Sequence, residues 1–357
     1  MKRLILYLLL LAICWPHATA NKLWVNPFDI KAGETKAIGI YLTMDSGEPY
    51  VGFHFDLHLP DGLEVEGASS GNPRFVLQAN RTESNNGSFD WCHSLTSNYA
   101  DGYYTIIVSS DTNASLKGSD GAVITMYVKA SKDVHVDKLT ASVSDIKLGR
   151  ITETSDNFAS EPFEIITTKE IRLKLDANGY STYACDNNFR MVSGASAYTG
   201  EYSSGNVNLY DINDDVVIPA GEGVMLLGGK GENVVILATG EDADAVQNND
   251  FVGVTHQTTS LKAGNNYVFT PIDDYYIFAP AAINESVNTL MNKAYINTQD
   301  ERPEYVTLNG STPDRIPNLS GDVLGKEATI KYLKNKNVWI RNKDGIYTVG
   351  GTRTEHP

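Results

Sequence analysis

Phe53-His54-Phe55-Asp56-Leu57-His58-Leu59 carries apolar side chains at every odd position and polar ones at every even position. Successive side chains on a strand point to opposite faces, so this run predicts a strand with one side on a core and the other in water. Pro60-Asp61-Gly62 then supplies turn residues, and Leu63-Glu64-Val65-Glu66 alternates again. Further out, residues 103–108 and 122–128 are rich in β-branched and aromatic side chains, the second run entered through Gly118-Ser119-Asp120-Gly121. From Leu23 to about Thr167 short runs of this kind recur at intervals of roughly ten residues without helical periodicity, the pattern of a sandwich or barrel.

A second β region starts near Lys169. Ile171-Arg172-Leu173-Lys174-Leu175 alternates, Asn178-Gly179 is a strong turn signal, and residues 216–228 read as two apolar strands about Pro219-Ala220-Gly221. Residues 287–294 predict one short helix. Pro303, Pro313 and Pro317 fall close together among scattered charges, so residues 299–327 read as a linker. Lys343-Asp344-Gly345 between two alternating runs predicts a closing β-hairpin within residues 328–357. The expected class is all-β: a sandwich over residues 21–167, a second β-rich domain with one short helix over 168–298, the linker, and the hairpin.

The 357 residues include 29 Lys and Arg against 44 Asp and Glu, a formal charge of −15. Such a chain repels phosphate backbones, so nucleic acid is not an expected partner. Hydrophobic residues make up 41%, enough for ordinary cores and too many for intrinsic disorder, and the length favours two domains over one. Met1-Lys2-Arg3, the apolar run 4–15 and Ala18-Thr19-Ala20 match a secretory leader cleaved after Ala20, making residues 1–20 a signal peptide. The run is too short to cross a hydrocarbon core of roughly 30 Å. Lipidation of Cys14 is the competing reading, opposed by the bulky Ile13 where a small residue is required. Past the leader, Cys92 and Cys185 remain, an even count that invites a bridge in an exported protein. Their placement in different predicted domains points instead to two unpaired, buried thiols.

Lys31-Ala32-Gly33-Glu34-Thr35, the stretch Gly52 to Leu63 and Gly118-Ser119-Asp120-Gly121-Ala122-Val123 together resemble a cohesin-type module. That family opens on a "PGE"-like turn, continues through a "GF-F-L-P-GL" strand pair and closes its jelly roll with a late "DG-L" strand. Gly179-Tyr180-Ser181-Thr182-Tyr183, Ile218-Pro219-Ala220-Gly221-Glu222-Gly223-Val224 and Asn292-Lys293-Ala294-Tyr295-Ile296 are similar to a repeat common in secreted Bacteroidetes surface proteins. The two resemblances span roughly residues 23–298. They imply an exported, non-catalytic adhesion or scaffolding protein that grips a protein module or sits beside carbohydrate-binding sandwiches. Dockerin-type calcium repeats are absent from the sequence.

Chemistry-bearing patterns are sparse. His54, Asp56 and His58 share a strand face and have the donor types of a transition-metal site. Residues four apart on a strand are about 13 Å apart, so the two histidines do not share an ion. One adjacent pair would need a ligand from a neighbouring strand, with His93 as a candidate; the expectation is a solvated strand face and no metal. Asp211, Asn213, Asp215 and Glu222 have EF-hand spacing, but Val216 stands where the loop requires Gly. Phosphate-loop and dinucleotide patterns fail on spacing, no Gly-x-Ser-x-Gly elbow is present, and Cys92 and His93, as neighbours on a strand, point apart. No cofactor and no enzymatic activity are expected. Sugar rings stack on aromatic side chains, and Trp91, Tyr99, Tyr103 and Tyr104 fall near Asp90, Asn98 and Asp101, which makes them candidate ligand-binding residues. The competing reading puts Trp91 and alternate tyrosines in the core. Tyr275-Tyr276 after Asp273-Asp274 is a second, weaker aromatic candidate. The expected partner is a protein module, the alternative a cell-surface glycan, and the third possibility a purely architectural surface role.

Overall fold

The computed structural model describes residues 21–45, 49–81, 93–152, 154–256, 261, 265–272, 275–281, 291–299, 301–303, 305–309, 330–334, 337–342, 345–348 and 353–354. The chain divides into two units, Met1–Thr168 and Lys169–Pro357. Among the described residues the helical content is two three-residue 3-10 turns, Ala68–Ser70 and Ala79–Arg81. The leader, Trp91 and Cys92 lie outside the described residues.

The first unit holds β1 (Lys22–Val25), β2 (Phe28–Lys31), β3 (Thr35–Thr43), β4 (Tyr50–His58), β5 (Leu63–Val65), β6 (Phe75–Leu77), β7 (His93–Ala100), β8 (Tyr103–Ser110), β9 (Ala122–Ala130), β10 (Lys138–Arg150) and β11 (Ser155–Phe158). Its last strand, β12 (Phe163–Lys174), runs on into the second unit. One sheet follows the order β1-β3-β9-β5 with β6 also on β9; the other follows β12-β10-β4-β8-β7, with β2 on β12 and β11 on β10. The alternation read from the sequence holds in β4, where Phe53, Phe55 and Leu57 are buried and His54, Asp56 and His58 are half-buried on the other side.

Leu23, Ile40, Leu42, Val65, Ile124, Met126 and Val128 from the first sheet meet Phe55, Leu57, Ile106, Val143, Leu148 and Ile165 from the second in one continuous core. Each such side chain contributes about 1.5–3 kcal/mol on burial, and this is what holds the two layers together. Two details set the geometry of the second sheet. Asp101 and Gly102, both at positive φ, make the two-residue turn between β7 and β8, the backbone a tight hairpin of this twist demands. A register shift between Ser144 and Lys147 puts a bulge into β10 opposite β4.

The second unit contains β13 (Tyr180–Tyr183), β14 (Phe189–Ser193), β15 (Ala195–Ser203), β16 (Asn206–Ile212), β17 (Val224–Gly228), β18 (Asn233–Thr239), β19 (Phe251–Val254), β20 (Asn266–Ile272), β21 (Tyr275–Pro280), β22 (Lys293–Asn297) and β23 (Val306–Asn309). Nine of them form a sheet in the order β13-β17-β15-β16-β23-β21-β20-β22-β19. The sheet curls back on itself: Val252 of β19 bridges to Glu222, and an added Cβ at Gly200 of β15 would lie 2.5 Å from the Phe251 ring. Met225, Phe251, Tyr267, Phe278, Ile296 and Leu308 fill the interior. β14 and β18 pair with each other, and β18 neighbours β12.

Two expectations change, one falls largely outside the described residues, and one is extended. Residues 306–309, placed in a linker, form β23, which pairs with β16 and β21. Residues 216–218 contribute one isolated bridge, Phe189 to Ile218, and the strand begins only at Val224. The short helix over 287–294 falls largely outside the described residues; its described end is a turn at Met291 and Asn292 followed by β22. The C-terminal hairpin is part of a four-stranded antiparallel sheet of β24 (Ile330–Lys334), β25 (Asn337–Asn342), β26 (Gly345–Thr348) and β27 (Arg353–Thr354).

Candidate functional site

The outward face of β10-β4-β8-β7 gathers most of the chemistry-bearing residues picked out by sequence. Antiparallel partners directly opposite one another share a face, so the register writes this surface row by row. One row runs Lys147, His54, Ile107, Thr96; the next Ser144, Asp56, Thr105, Asn98; a third joins Ser142 to His58 and Tyr103 to Ala100. Thr105 donates its hydroxyl to Asp56 Oδ1 at 2.8 Å, and His58 Nε2 meets Ser144 Oγ at 3.1 Å. The His58 and Tyr103 rings pack with centroids 5.2 Å apart. Ile107, 44% exposed, is the apolar residue at the middle of this polar surface.

His54 is the most connected group on the face. Its Nδ1 lies 3.0 Å from the Asp145 carbonyl oxygen and 3.5 Å from Asp145 Oδ2, while Nε2 lies 3.8 Å from Asp56 Oδ1. Asp145 occupies the β10 bulge with φ 47, a left-handed backbone that Asp tolerates better than most residues. Lys147 Nζ donates to Asp145 Oδ2 at 2.7 Å, and this bond, with His54 nearby, holds the Asp145 carboxyl below the usual carboxylate range.

Among the described residues, Tyr99, Tyr103 and Tyr104 do not assemble into one platform. Tyr103 and Tyr104 are successive residues of β8 and face opposite ways. Tyr104 is 2% exposed in the core, where its hydroxyl accepts the Val65 N–H at 2.9 Å and burial pushes its pKa up. Tyr99 packs on Tyr104 from the core side, ring centroids 4.6 Å apart, yet stays 49% exposed because β7 is the edge strand. Asp101 sits at the hairpin tip, Asn98 is on the outward face, and Asp90 and Trp91 lie outside the described residues. From His93 onward this stretch is a regular hairpin. Tyr275 and Tyr276 are strand residues of β21, and Asp273 and Asp274 lie outside the described residues.

An aromatic pair that sequence reading missed stands on the other sheet. Trp24 and Tyr41 are cross-strand partners of β1 and β3, stacked at 5.4 Å and 18°, with Lys22 Nζ 5.4 Å from the Trp24 ring. Seventeen positions separate them in sequence, and only the strand pairing brings them together. Of the remaining sequence candidates, Glu222 accepts a hydrogen bond from Asn249, while Asp211 lies in β16 across from Tyr198. Asp215 donates its N–H to Asn213 Oδ1. His93 is buried in β7, across from Ser110, far from the His54 row. Cys185 is buried and free, and burial pushes its thiol pKa up, which suits a core residue and not a nucleophile.

No protein-family model matches the chain, and no curated protein does. In structure, its N-terminal part is similar to cohesin modules. One belongs to a type I cohesin–dockerin complex from Clostridium thermocellum, at 14% identity and TM-score 0.33, covering 42% of this chain and 94% of that one. Another is a non-cellulosomal cohesin from Archaeoglobus fulgidus, at 10% identity and TM-score 0.31 over 41% and 90%. A third is the cohesin module of a family 33 glycoside hydrolase from Clostridium perfringens, at 13% identity and TM-score 0.29 over 42% and 96%. The first unit of this chain is a β-sandwich on the evidence of its own two packed sheets.

Proposed function

We propose that this chain is an exported, non-catalytic recognition protein of the bacterial cell envelope that holds a protein partner on the outward face of β10-β4-β8-β7. The observation that carries the reading is Ile107, 44% exposed on a surface whose other members are mostly polar: His, Asp, Thr, Ser, Asn and Lys147, with Tyr103 and Ala100 at one end. An apolar residue ringed by hydrogen-bonding groups is compatible with a protein interface, where such a ring excludes water from the contact it surrounds. The split of Tyr103 and Tyr104 to opposite faces takes away the platform a sugar ring would need, which favours protein over glycan.

Export follows from the leader-like residues 1–20. Asn21 supports the cleavage point: its side chain accepts the Asp45 N–H at 2.8 Å and donates to the Tyr50 hydroxyl at 2.8 Å. Processing after Ala20 keeps that anchor whole. The resemblance of the second unit's glycine and strand motifs to secreted Bacteroidetes proteins points to the same address.

The test is a photo-crosslinking capture from native cell envelopes with the reactive group at Thr96, beside Ile107, together with N-terminal sequencing of the exported chain. The expected result is one protein cross-linked by the parent and lost on Ile107→Asp, from a chain that begins at Asn21. Cross-linking unchanged by Ile107→Asp, or a glycan-array hit with no protein captured, overturns the partner reading.

A further inference from the structure

We infer that His54, Asp56 and Asp145 form a binding site for one divalent transition-metal ion of the zinc class on the outward face of the first unit. The ligand atoms of the three side chains all lie within 4.8 Å of one another. Two come from alternate positions of β4, and the third from the bulge of β10, the adjacent strand. The bulge solves the spacing problem that separates His54 from His58: it delivers a carboxylate to the histidine from the side instead of from four residues along the same strand.

The Nδ1 contact fixes the orientation of the His54 ring. A carbonyl oxygen can only accept, so the contact of Nδ1 with the Asp145 carbonyl at 3.0 Å requires the hydrogen on Nδ1. The other ring nitrogen, Nε2, faces Asp56 Oδ1 at 3.8 Å. An imidazole whose other nitrogen is tied to a backbone carbonyl is also the usual state of a metal-bound histidine, because that bond fixes the tautomer and the ring orientation.

The oxygens are supported in the same way. Thr105 holds the Asp56 carboxylate, and Lys147 holds the Asp145 carboxylate through Oδ2, the oxygen nearest His54. Ligand atoms around a tetrahedral ion with bonds of about 2.0–2.2 Å stand roughly 3.4 Å apart, so contraction by about an ångström closes the set. One imidazole nitrogen with two carboxylates suits zinc, cobalt or nickel; calcium prefers six to eight oxygens and magnesium keeps its waters. Three protein ligands leave a fourth position directed to solvent. The site needs no protein partner, so its failure and the failure of the partner reading are separate outcomes.

The experiment titrates the purified chain with cobalt(II), followed by its visible ligand-field absorption, and with zinc by calorimetry. One ion per chain is expected. Binding should weaken in His54→Gln, Asp56→Asn and Asp145→Asn by more than the roughly 10- to 100-fold typical of changes at supporting residues. Asparagine keeps the tolerance for left-handed backbone at position 145, and thermal melts establish that each variant is folded. His58→Gln should bind as the parent does. The proposal is overturned by no uptake at millimolar metal, by uptake that survives His54→Gln, or by an NMR spectrum showing both His54 nitrogens protonated at neutral pH with zinc present.

Discussion

Asp156 shows how a single carboxylate ties the start of the sandwich to its end. Its Oδ2 accepts from Arg150 at 2.6 Å and from the Tyr50 hydroxyl at 2.5 Å, and Asn21 approaches at 3.4 Å. The Arg150 bond first, then the Tyr50 bond, hold its pKa below the usual carboxylate value. A carboxyl whose folded pKa is depressed favours the folded state above its unfolded pKa, about 3.9, and this contribution fades as pH falls through the folded value. Asp156→Asn should lower the urea midpoint at neutral pH, and the gap to the parent should close on acidification below about pH 4. A gap that stays constant down to pH 2 would contradict the assignment. Tyrosines shift in the opposite direction: desolvation and the Glu301 bond push the half-buried Tyr202 up to about 12.

At the scale of the element, the curl of the large sheet depends on missing side chains. An added Cβ at Gly200 would meet the Phe251 ring and Val207, and one at Gly223 would lie 2.6 Å from the Ala294 Cβ. Gly200→Ala should cost about 1–3 kcal/mol by overpacking, read as a lower denaturant midpoint at unchanged slope. No loss of stability would mean that β19 does not lie across β15 as described. Elements of this kind explain what the sequence could reveal. The strand period of β4 is a local property and was legible; the Asp101-Gly102 turn is equally local, yet the stretch was read as a ligand-binding segment and its hairpin was missed. The opposition of Tyr103 and Tyr104 was legible once the strand was known to continue through them. Asp145 was not legible, because nothing in Ser144-Asp145-Ile146-Lys147 marks where β4 will interrupt the ladder. The Trp24–Tyr41 stack and the place of β23 between β16 and β21 are likewise products of long-range pairing.

For the molecule as a whole, the division at Thr168 has energetic content. The buried members of the sandwich core run from Leu23 to Ile165, and the β2–β12 pairing ends at Thr168. A fragment of residues 21–168 should therefore fold alone, with a β-type circular-dichroism spectrum and one cooperative urea transition. A fragment that stays unfolded would show that the sandwich needs residues beyond Thr168. A self-sufficient sandwich also carries the proposed partner face and metal site without help from the second unit.

The parallel pairing of β2 with β12, Phe28 to Ile165 through Lys31 to Thr168, joins the first strands of the sandwich to its last. Tension that pulls the chain's beginning and the segment beyond Thr168 in opposite directions would drag these two strands lengthwise past each other. Their hydrogen bonds would then be loaded all at once instead of peeling one by one. In the proposed recognition role, that arrangement would make the sandwich a mechanical clamp, with breakage deferred to the grip itself.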